Sequence, residues 1–154
     1  MKTEVVPYDP AWKKKYLHEA LAIKQRCGDK ILIIEHAGST SVEGMAAKPV
    51  IDIYIGTRSL DDAHSLITPL TGLGYEYCKD FEDVLPFRRY FRKFIDGKRS
   101  FHIHATPAGH YFRNIDLIFR DYVSVNKAAA KEYEDLKLKL ADIDFEEPQG
   151  YNHA

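Results

Sequence analysis

Two short runs rich in isoleucine constrain the fold more than any other feature of this 154-residue chain. The sequences ILIIEH (residues 31–36) and VIDIYIG (residues 50–56) are β-branched and bounded by turn residues, which is typical of buried strands. The segment between them begins with a small polar turn, Gly38-Ser39-Thr40-Ser41. We therefore predict two sheet strands joined by a turn that carries glycine and hydroxyl groups.

Four other stretches show the apolar periodicity of helices. Asp9 followed by Pro10 is a typical helix start, and Ser59 with Asp62 forms a capping box. The predicted helices cover about residues 10–27, 59–72, 111–123 and 126–141. The last two are expected to pack against each other as a C-terminal pair.

A hairpin is predicted ahead of these last helices. Residues 88–95 and 99–106 flank Asp96-Gly97-Lys98, in which Asp-Gly supplies the positive φ of a tight turn. Residues 75–78 add a further strand. The order of elements predicts an α/β (α+β) domain over residues 1–154, with a mixed sheet of about five strands and helices mainly on one face. The other face is then open for a site.

Composition excludes several classes of function. The 22 basic and 23 acidic side chains leave a net charge of −1, which argues against a nucleic-acid partner. The chain has no apolar stretch of the length that a membrane helix needs, and its N-terminus lacks the apolar core of a signal peptide. We expect a cytoplasmic protein with no membrane partner, in which Cys27 and Cys78 are reduced core thiols.

Asp52 is the first candidate for chemistry. Alternate residues of a strand share a face, so Ile51 and Ile53 are expected in the core while Asp52 and Tyr54 point to the other side. A carboxylate in a buried strand needs a cation, a positive side chain or hydrogen-bond donors. Asp52 is therefore either a catalytic, metal-binding acid or one half of a structural salt bridge.

The same alternation applies to SFHIHAT, residues 100–106. His102 and His104 share a face, with side chains about 7 Å apart along the strand. Together with Asp52 they would form a two-histidine, one-carboxylate set suited to a metal such as Zn, Mn or Fe. The alternative is a pair of half-exposed strand histidines without a metal.

The polar turn is a candidate phosphate site. Gly38, Ser39 and Thr40 offer backbone N–H groups and hydroxyls, and glycine allows close approach of the main chain to a ligand. A short helix beginning at Ser39 would add a favourable dipole for an anion. An anion subsite next to a metal-binding acid is what a nucleoside triphosphate requires, although the segment can also be a plain turn.

Two further cations are candidates for phosphate binding. Lys48 precedes the Asp52 strand and can reach the acid or a phosphate, or can be an ordinary surface lysine. Arg89 belongs to a basic hairpin strand, which either grips phosphate or is an edge strand protected by charge. Strand alternation places Arg89, Phe91 and Lys93 on one face of that strand and Arg88, Tyr90, Arg92 and Phe94 on the other. Arg120 and Asp121 can be an ordinary helix pair.

Seven stretches over nearly the whole chain resemble the GrpB family, a family of uncharacterised proteins placed in the nucleotidyltransferase superfamily. They are VVPYDPAW (residues 5–12), EHAGSTSVEGMAAKPVIDI (35–53), LGYEY (73–77), RRYFRK (88–93), FHIHA (101–105), FRDYV (119–123) and EYEDLKLKLA (132–141). The resemblance implies a nucleotidyltransferase-like core, in which a Gly-Ser turn holds nucleotide phosphates and carboxylates on the next strand hold a divalent metal. It also suggests a link to coenzyme A metabolism, because GrpB-like domains occur fused to dephospho-coenzyme A kinase.

The chain departs from the superfamily pattern at one position. The usual strand motif has two acids separated by one residue, whereas here Tyr54 stands where the second acid would be. Removing a shared ligand weakens a two-metal site, and the imidazoles of His102 and His104 would replace it with a softer, single-metal site. The ion is expected to be Mg, Mn or Zn.

The expected function is a metal-dependent enzyme of nucleotidyltransferase type acting on an unknown small acceptor. Asp52, His102 and His104 would hold the metal, and Gly38, Ser39, Thr40, Lys48 and Arg89 would hold a nucleotide or another phosphorylated small molecule. The alternatives are a non-catalytic module that binds such a molecule and a metal-dependent hydrolase.

Overall fold

A computed structural model describes residues 4–142 of the chain, apart from the side chains of residues 111–116. The helices are α1 (Ala11–Cys27), α2 (Leu60–His64), α3 (Ile67–Gly72), α4 (Tyr111–Val125) and α5 (Lys127–Ala141). The strands are β1 (Ile33–Ala37), β2 (Ile51–Thr57), β3 (Glu76–Tyr77), β4 (Arg89–Ile95) and β5 (Lys98–Pro107). Within the described residues, no helix is long and apolar enough to cross a membrane.

The five strands form one mixed sheet in the order β1-β2-β5-β4-β3. Strands β2 and β5 are parallel, whereas the other neighbouring pairs are antiparallel. The predicted α/β fold with a five-stranded mixed sheet is confirmed. The one predicted helix over residues 59–72 is divided into α2 and α3. Ser59 caps α2 as expected, because its Oγ accepts from the N–H of Asp62 at 3.1 Å.

Helices α1, α2 and α3 cover one face of the sheet and enclose the core. Strand alternation places the isoleucines of β2 on this face, and Phe91 of β4 and Ile103 of β5 join them without any exposed surface. The main core residues are Trp12, Ile23, Ile51, Ile53, Ile55, Leu66, Leu70, Phe91, Phe101 and Ile103. The predicted core face of β2 is therefore confirmed, and Phe101 and Ile103 of β5 lie on the same face.

The C-terminal helices α4 and α5 lie on the opposite face. Leu117 of α4 packs against Ala37 and Tyr54, which belong to β1 and to the outward face of β2. The two helices contact each other through Phe119 and Tyr133, whose rings are 5.2 Å apart. The predicted C-terminal pair is present, and it covers part of the face that the helices were expected to leave open.

Helix α5 holds the segment that joins β1 to β2. Glu134 accepts a hydrogen bond from the backbone N–H of Ala46 at 2.8 Å, and Lys137 donates to the carbonyl oxygen of Ala46 at 2.5 Å. Burial lowers the pKa of Lys137 to about 8, although Glu134 acts in the opposite direction. The backbone N–H and C=O groups of Ala46 are thus both satisfied by a single helix, which fixes the connection over the sheet.

We expect Phe91→Ala to destabilise the fold strongly. Phe91 has no exposed surface, so truncation leaves a core cavity and costs about 3–5 kcal/mol in the free energy of unfolding. Phe94 lies on the same strand but is 45% exposed, so Phe94→Ala should cost less than about 1 kcal/mol. Urea denaturation of the two variants checks the difference, and equal losses would contradict the assigned core face.

Candidate metal and phosphate site

The pairing of β2 with β5 brings Asp52, His102 and His104 together. Asp52 lies directly opposite His102 in the parallel register, and His104 follows two residues later on the same face. Asp52 Oδ1 is 3.4 Å from His102 Nδ1 and 3.1 Å from His104 Nε2. One ligand atom from each of the three residues lies within 4.8 Å of the others, as a shared metal site requires.

The imidazoles hold Asp52 in its ionised form. Burial by itself raises the pKa of Asp52, but hydrogen bonds with His102 and His104 outweigh that effect and keep the pKa well below its usual range. Burial lowers the pKa of His104, although Asp52 acts in the opposite direction. At neutral pH the pair therefore consists of a carboxylate and a neutral His104.

Arg88 determines which nitrogen of His104 carries the proton. The guanidinium NH1 of Arg88 lies 3.1 Å from His104 Nδ1. Arginine only donates hydrogen bonds, so Nδ1 of the neutral ring must accept and Nε2 must carry the hydrogen. That Nε2–H points at Asp52, which accepts it at 3.1 Å.

Two tyrosine rings flank the histidines. The ring centroid of Tyr54 is 4.6 Å from that of His104, and the Tyr90 ring lies 5.2 Å from His104 and 5.3 Å from His102. Burial and the Asp52 charge raise the pKa of Tyr90 to about 12, so its hydroxyl stays protonated. The position at which the superfamily motif has a second acid thus presents an aromatic ring to His104.

The Gly38 turn runs directly beside Asp52. Gly38 has φ of 70°, and a Cβ atom built there would overlap Asp52 Oδ2. Only glycine allows this backbone conformation and this approach without strain. Residues Ser39–Ser41 then form a single 3-10 turn rather than a longer helix, so the predicted helix dipole contributes little.

A cavity of about 220 Å³ lies between this turn, the sheet and the C-terminal helices. It is lined by Gly38, Ser39, Val42, Met45, Asp52, Tyr54, His104, Phe119, Arg120, Val123 and Tyr133. The lining is mainly apolar, and Asp52, His104 and Arg120 bring charged or polar groups to it. A concave and mainly apolar surface with a few polar groups is typical of a small-molecule site.

Three predicted phosphate ligands, Thr40, Lys48 and Arg89, are not among the residues that line this cavity. Thr40 is buried, and its hydroxyl is 2.8 Å from His36 Nε2. Lys48 is half-buried; burial lowers its pKa, whereas the nearby charge of Asp52 raises it. Lys48 is therefore close enough to interact with the acid but does not line the cavity.

Arg89 is brought to the opposite side of the sheet from Asp52. Its Nε donates to His64 of α2 at 3.1 Å, and it forms an ion pair of 3.3 Å with Glu82. The physical reason is strand alternation, because Arg89 shares a face with the core residue Phe91. The neighbouring Arg88, which the hairpin pattern placed on the other face, is the arginine that reaches His104.

Arg120 lines the cavity, whereas the sequence indicated only an ordinary helix pair with Asp121. It forms the expected pair with Asp121 at 2.8 Å, but it also donates to the carbonyl oxygen of His36 at 3.0 Å and lies 3.8 Å from Glu35. Local periodicity places a helix there and does not show that the helix crosses β1. Only the packing of α4 brings this guanidinium to the cavity.

The burial of His36 predicts that the protein loses stability in mild acid. The ring stacks on Tyr16 at 4.7 Å, and burial lowers the pKa of His36 from 6.5 to about 4 although Asp52 acts in the opposite direction. The unfolded state therefore takes up the proton first, so stability falls as the pH drops from about 6.5 to about 4. Urea denaturation across this interval should show a smaller fall for His36→Gln, whereas the exposed-site control His18→Gln should behave like the parent protein. Equal pH dependence in all three proteins would contradict a buried neutral His36.

Replacing Gly38 should cost more than replacing another glycine of similar conformation. Gly44 also has a positive φ, 82°, but a Cβ there would meet nothing within 4 Å. We expect Gly44→Ala to lower the free energy of unfolding by about 1–2 kcal/mol through backbone strain. Gly38→Ala should lower it by roughly 1–3 kcal/mol more, because the added Cβ overlaps Asp52. Chemical denaturation measures both losses, and equal values would show that the turn does not press on Asp52.

Comparisons with known proteins agree with this fold. The family model described as GrpB protein matches residues 2–154. A crystal structure of the conserved protein GrpB from Enterococcus faecalis superposes with a TM-score of 0.85 at 36% identity, covering 96% of this chain and 88% of that one.

Two longer curated proteins also match. The UPF0157 protein YqkA of Bacillus subtilis is 36% identical over 140 residues, which cover 91% of this chain and 40% of YqkA. A protein named dephospho-CoA kinase from Mycobacterium bovis is 27% identical over an alignment that covers 86% of this chain and 38% of the kinase. The chain spans less than half the length of either relative. From the match of the family model and the similarity to a solved GrpB structure, we conclude that this chain belongs to the GrpB family.

Proposed function

We propose that this protein is a metal-dependent enzyme of nucleotidyltransferase type that acts on a nucleotide or a related phosphorylated small molecule. The observation that carries the proposal is the convergence of Asp52, His102 and His104 within 4.8 Å on one face of the sheet, with Asp52 and His104 at the wall of a cavity. A metal held there would face a ligand in the cavity. The acceptor of the transferred group is not identified by these residues.

The donor set supports one divalent ion of intermediate softness. Two imidazoles and one carboxylate suit Zn, Mn or Fe, whereas Mg prefers oxygen ligands and retained waters. Each of the three residues is half-buried, so the set is neither enclosed in the core nor fully exposed to solvent. When bound, the ion would polarise a phosphoryl oxygen or lower the pKa of a water molecule.

The chain's own residues would place the anionic group of the ligand. Gly38 and Ser39 line the cavity, where Ser39 would offer its hydroxyl to that group. Arg120 supplies positive charge, which Asp121 and Glu35 partly compensate. Phe119 and Tyr133 offer apolar surface on which a flat ring of the ligand can pack.

A non-catalytic binding module is the second candidate. Tyr54 occupies the place of the second acid and lies against His104, so the described residues hold one carboxylate where a two-metal transfer site needs at least two. A protein that senses a phosphorylated molecule needs the cavity but not the full catalytic set. Metal-dependent hydrolysis is the third candidate, since a single metal-bound water is sufficient for it.

Metal binding is the first test. We expect the chelator-treated protein to bind one Zn²⁺ or Mn²⁺ per chain in isothermal titration calorimetry. Asp52→Asn and His104→Gln each remove a ligand and should weaken binding by about 10-fold or more. His18→Gln, an exposed histidine on α1, serves as the control and should bind like the parent protein. Equal binding by all four proteins would show that the metal lies elsewhere.

Ligand binding separates the candidate functions. The proposal predicts that ATP raises the melting temperature with Mn²⁺ or Zn²⁺ present, and that pyrophosphate is released once an acceptor is supplied. Stabilisation without turnover would indicate a binding module, and phosphate release without an acceptor would indicate a hydrolase. Coenzyme A precursors belong in the same screen, because one relative is named dephospho-CoA kinase.

A further inference from the structure

We propose that Arg88 is a positioning residue that opposes metal binding by holding His104 in the wrong tautomer for coordination. The inference rests on the proposed metal site, and it concerns how tightly that site can hold an ion. Arg88 NH1 lies 3.1 Å from His104 Nδ1, on the side of the ring away from Asp52. Nε2 of the same ring lies 3.1 Å from Asp52 Oδ1, on the side where the ion would have to be.

The conflict follows from the hydrogen-bonding capacity of the two groups. A neutral imidazole has one N–H and one free lone pair, and a guanidinium has donors only. While Arg88 donates to Nδ1, the lone pair of His104 faces Arg88 and the hydrogen on Nε2 faces Asp52. A metal ligand needs the lone pair on Nε2, so the proton must leave Nε2 and a proton must return to Nδ1.

Once Nδ1 carries the proton, two N–H groups face each other. Arg88 must then turn away, because neither group can accept the other's hydrogen. In established metal sites the second ring nitrogen of a ligating histidine donates to a carboxylate, a carbonyl oxygen or water. Here a cation stands at that position, which adds electrostatic repulsion to the loss of the hydrogen bond.

A contact with the ring of Tyr90 also helps to hold Arg88 in this position. Its guanidinium carbon lies 4.8 Å from the centre of the Tyr90 ring, within the range of a cation–π contact. Tyr90 is mostly buried and lies opposite His104 in the β4–β5 register. Moving Arg88 away from His104 thus also disturbs a contact with a fixed ring.

Arg92 provides a matched control. It lies in β4, four residues after Arg88, which immediately precedes that strand. Arg92 is opposite His102 in the register, and its NH2 forms an ion pair of 3.2 Å with Glu76. Removing Arg92 deletes one positive charge near the site without removing the donor to His104. A difference between Arg88→Met and Arg92→Met therefore isolates the hydrogen bond from the general effect of charge.

The experiment compares Zn²⁺ affinity by calorimetry for the parent protein and the two methionine variants. We expect Arg88→Met to bind Zn²⁺ about 10-fold tighter than the parent protein, since partners of a ligating histidine change affinity on this scale, and Arg92→Met to show a much smaller gain. Equal gains in both variants, or no gain in Arg88→Met, would overturn the proposal. Absence of binding in all three proteins would instead overturn the proposed metal-dependent function.

The tautomer can be observed without any substitution. Long-range ¹H–¹⁵N correlation spectra of the histidine side chains should show the metal-free parent protein with the His104 proton on Nε2, and the Zn²⁺-loaded protein with the proton on Nδ1. A metal-free His104 with its proton on Nδ1 would overturn the proposal even if the Arg88 variant failed to fold.

Discussion

The parallel pairing of β2 with β5 is the constraint on which the candidate site depends. Its register sets Asp52 opposite His102, and the two-residue period of the strand brings His104 to the same face. A shift of one residue in either strand would move its polar side chains into the core and its isoleucines out of it. The fully buried Ile53 and Ile103, which are paired in the same register, therefore stabilise the geometry of the site.

On the polar face, the charged groups of Asp52, Arg120, Glu134 and Lys137 each have a partner. Asp52 is buried enough to need donors, and the two histidines supply them. Arg120 joins α4 to β1 through the carbonyl of His36, and Glu134 and Lys137 join α5 to the backbone N–H and C=O groups of Ala46. These contacts hold the C-terminal helices above a turn whose glycine leaves no room for a side chain beside Asp52.

The site also contains opposing requirements. The carboxylate and two imidazoles form a donor set for a metal, but the hydrogen bonds of His104 turn the proton of its ring, and not a lone pair, toward Asp52. Tyr54 and Tyr90 enclose the histidines and reduce their contact with water, which strengthens each electrostatic interaction among them. The affinity for an ion is accordingly set by the neighbours of the ligands as much as by the ligands themselves.

Local patterns were sufficient to locate the strands and most helices and to identify the face on which Asp52, His102 and His104 lie, but they did not show the division of the helix predicted over residues 59–72. Side-chain alternation and helical periodicity are properties of neighbouring residues, so they can be read without knowledge of the fold. The ring centroids of the two histidines are 6.4 Å apart, close to the separation of about 7 Å expected along one strand. Arg89 shows a limit of the prediction. Alternation placed Arg89 on the same face as Phe91, and that placement gave no reason to assign it to a phosphate site beside Asp52.

The sequence by itself determined which side chains share a face of each element, because that depends only on the repeat of the backbone. Only the tertiary structure decided which elements are neighbours: that β5 lies beside β2, that α4 brings Arg120 over His36, and that Arg88 meets Nδ1 of His104. These contacts join residues 16 to 84 positions apart, and strand order and helix packing across such separations leave no local signal in the sequence.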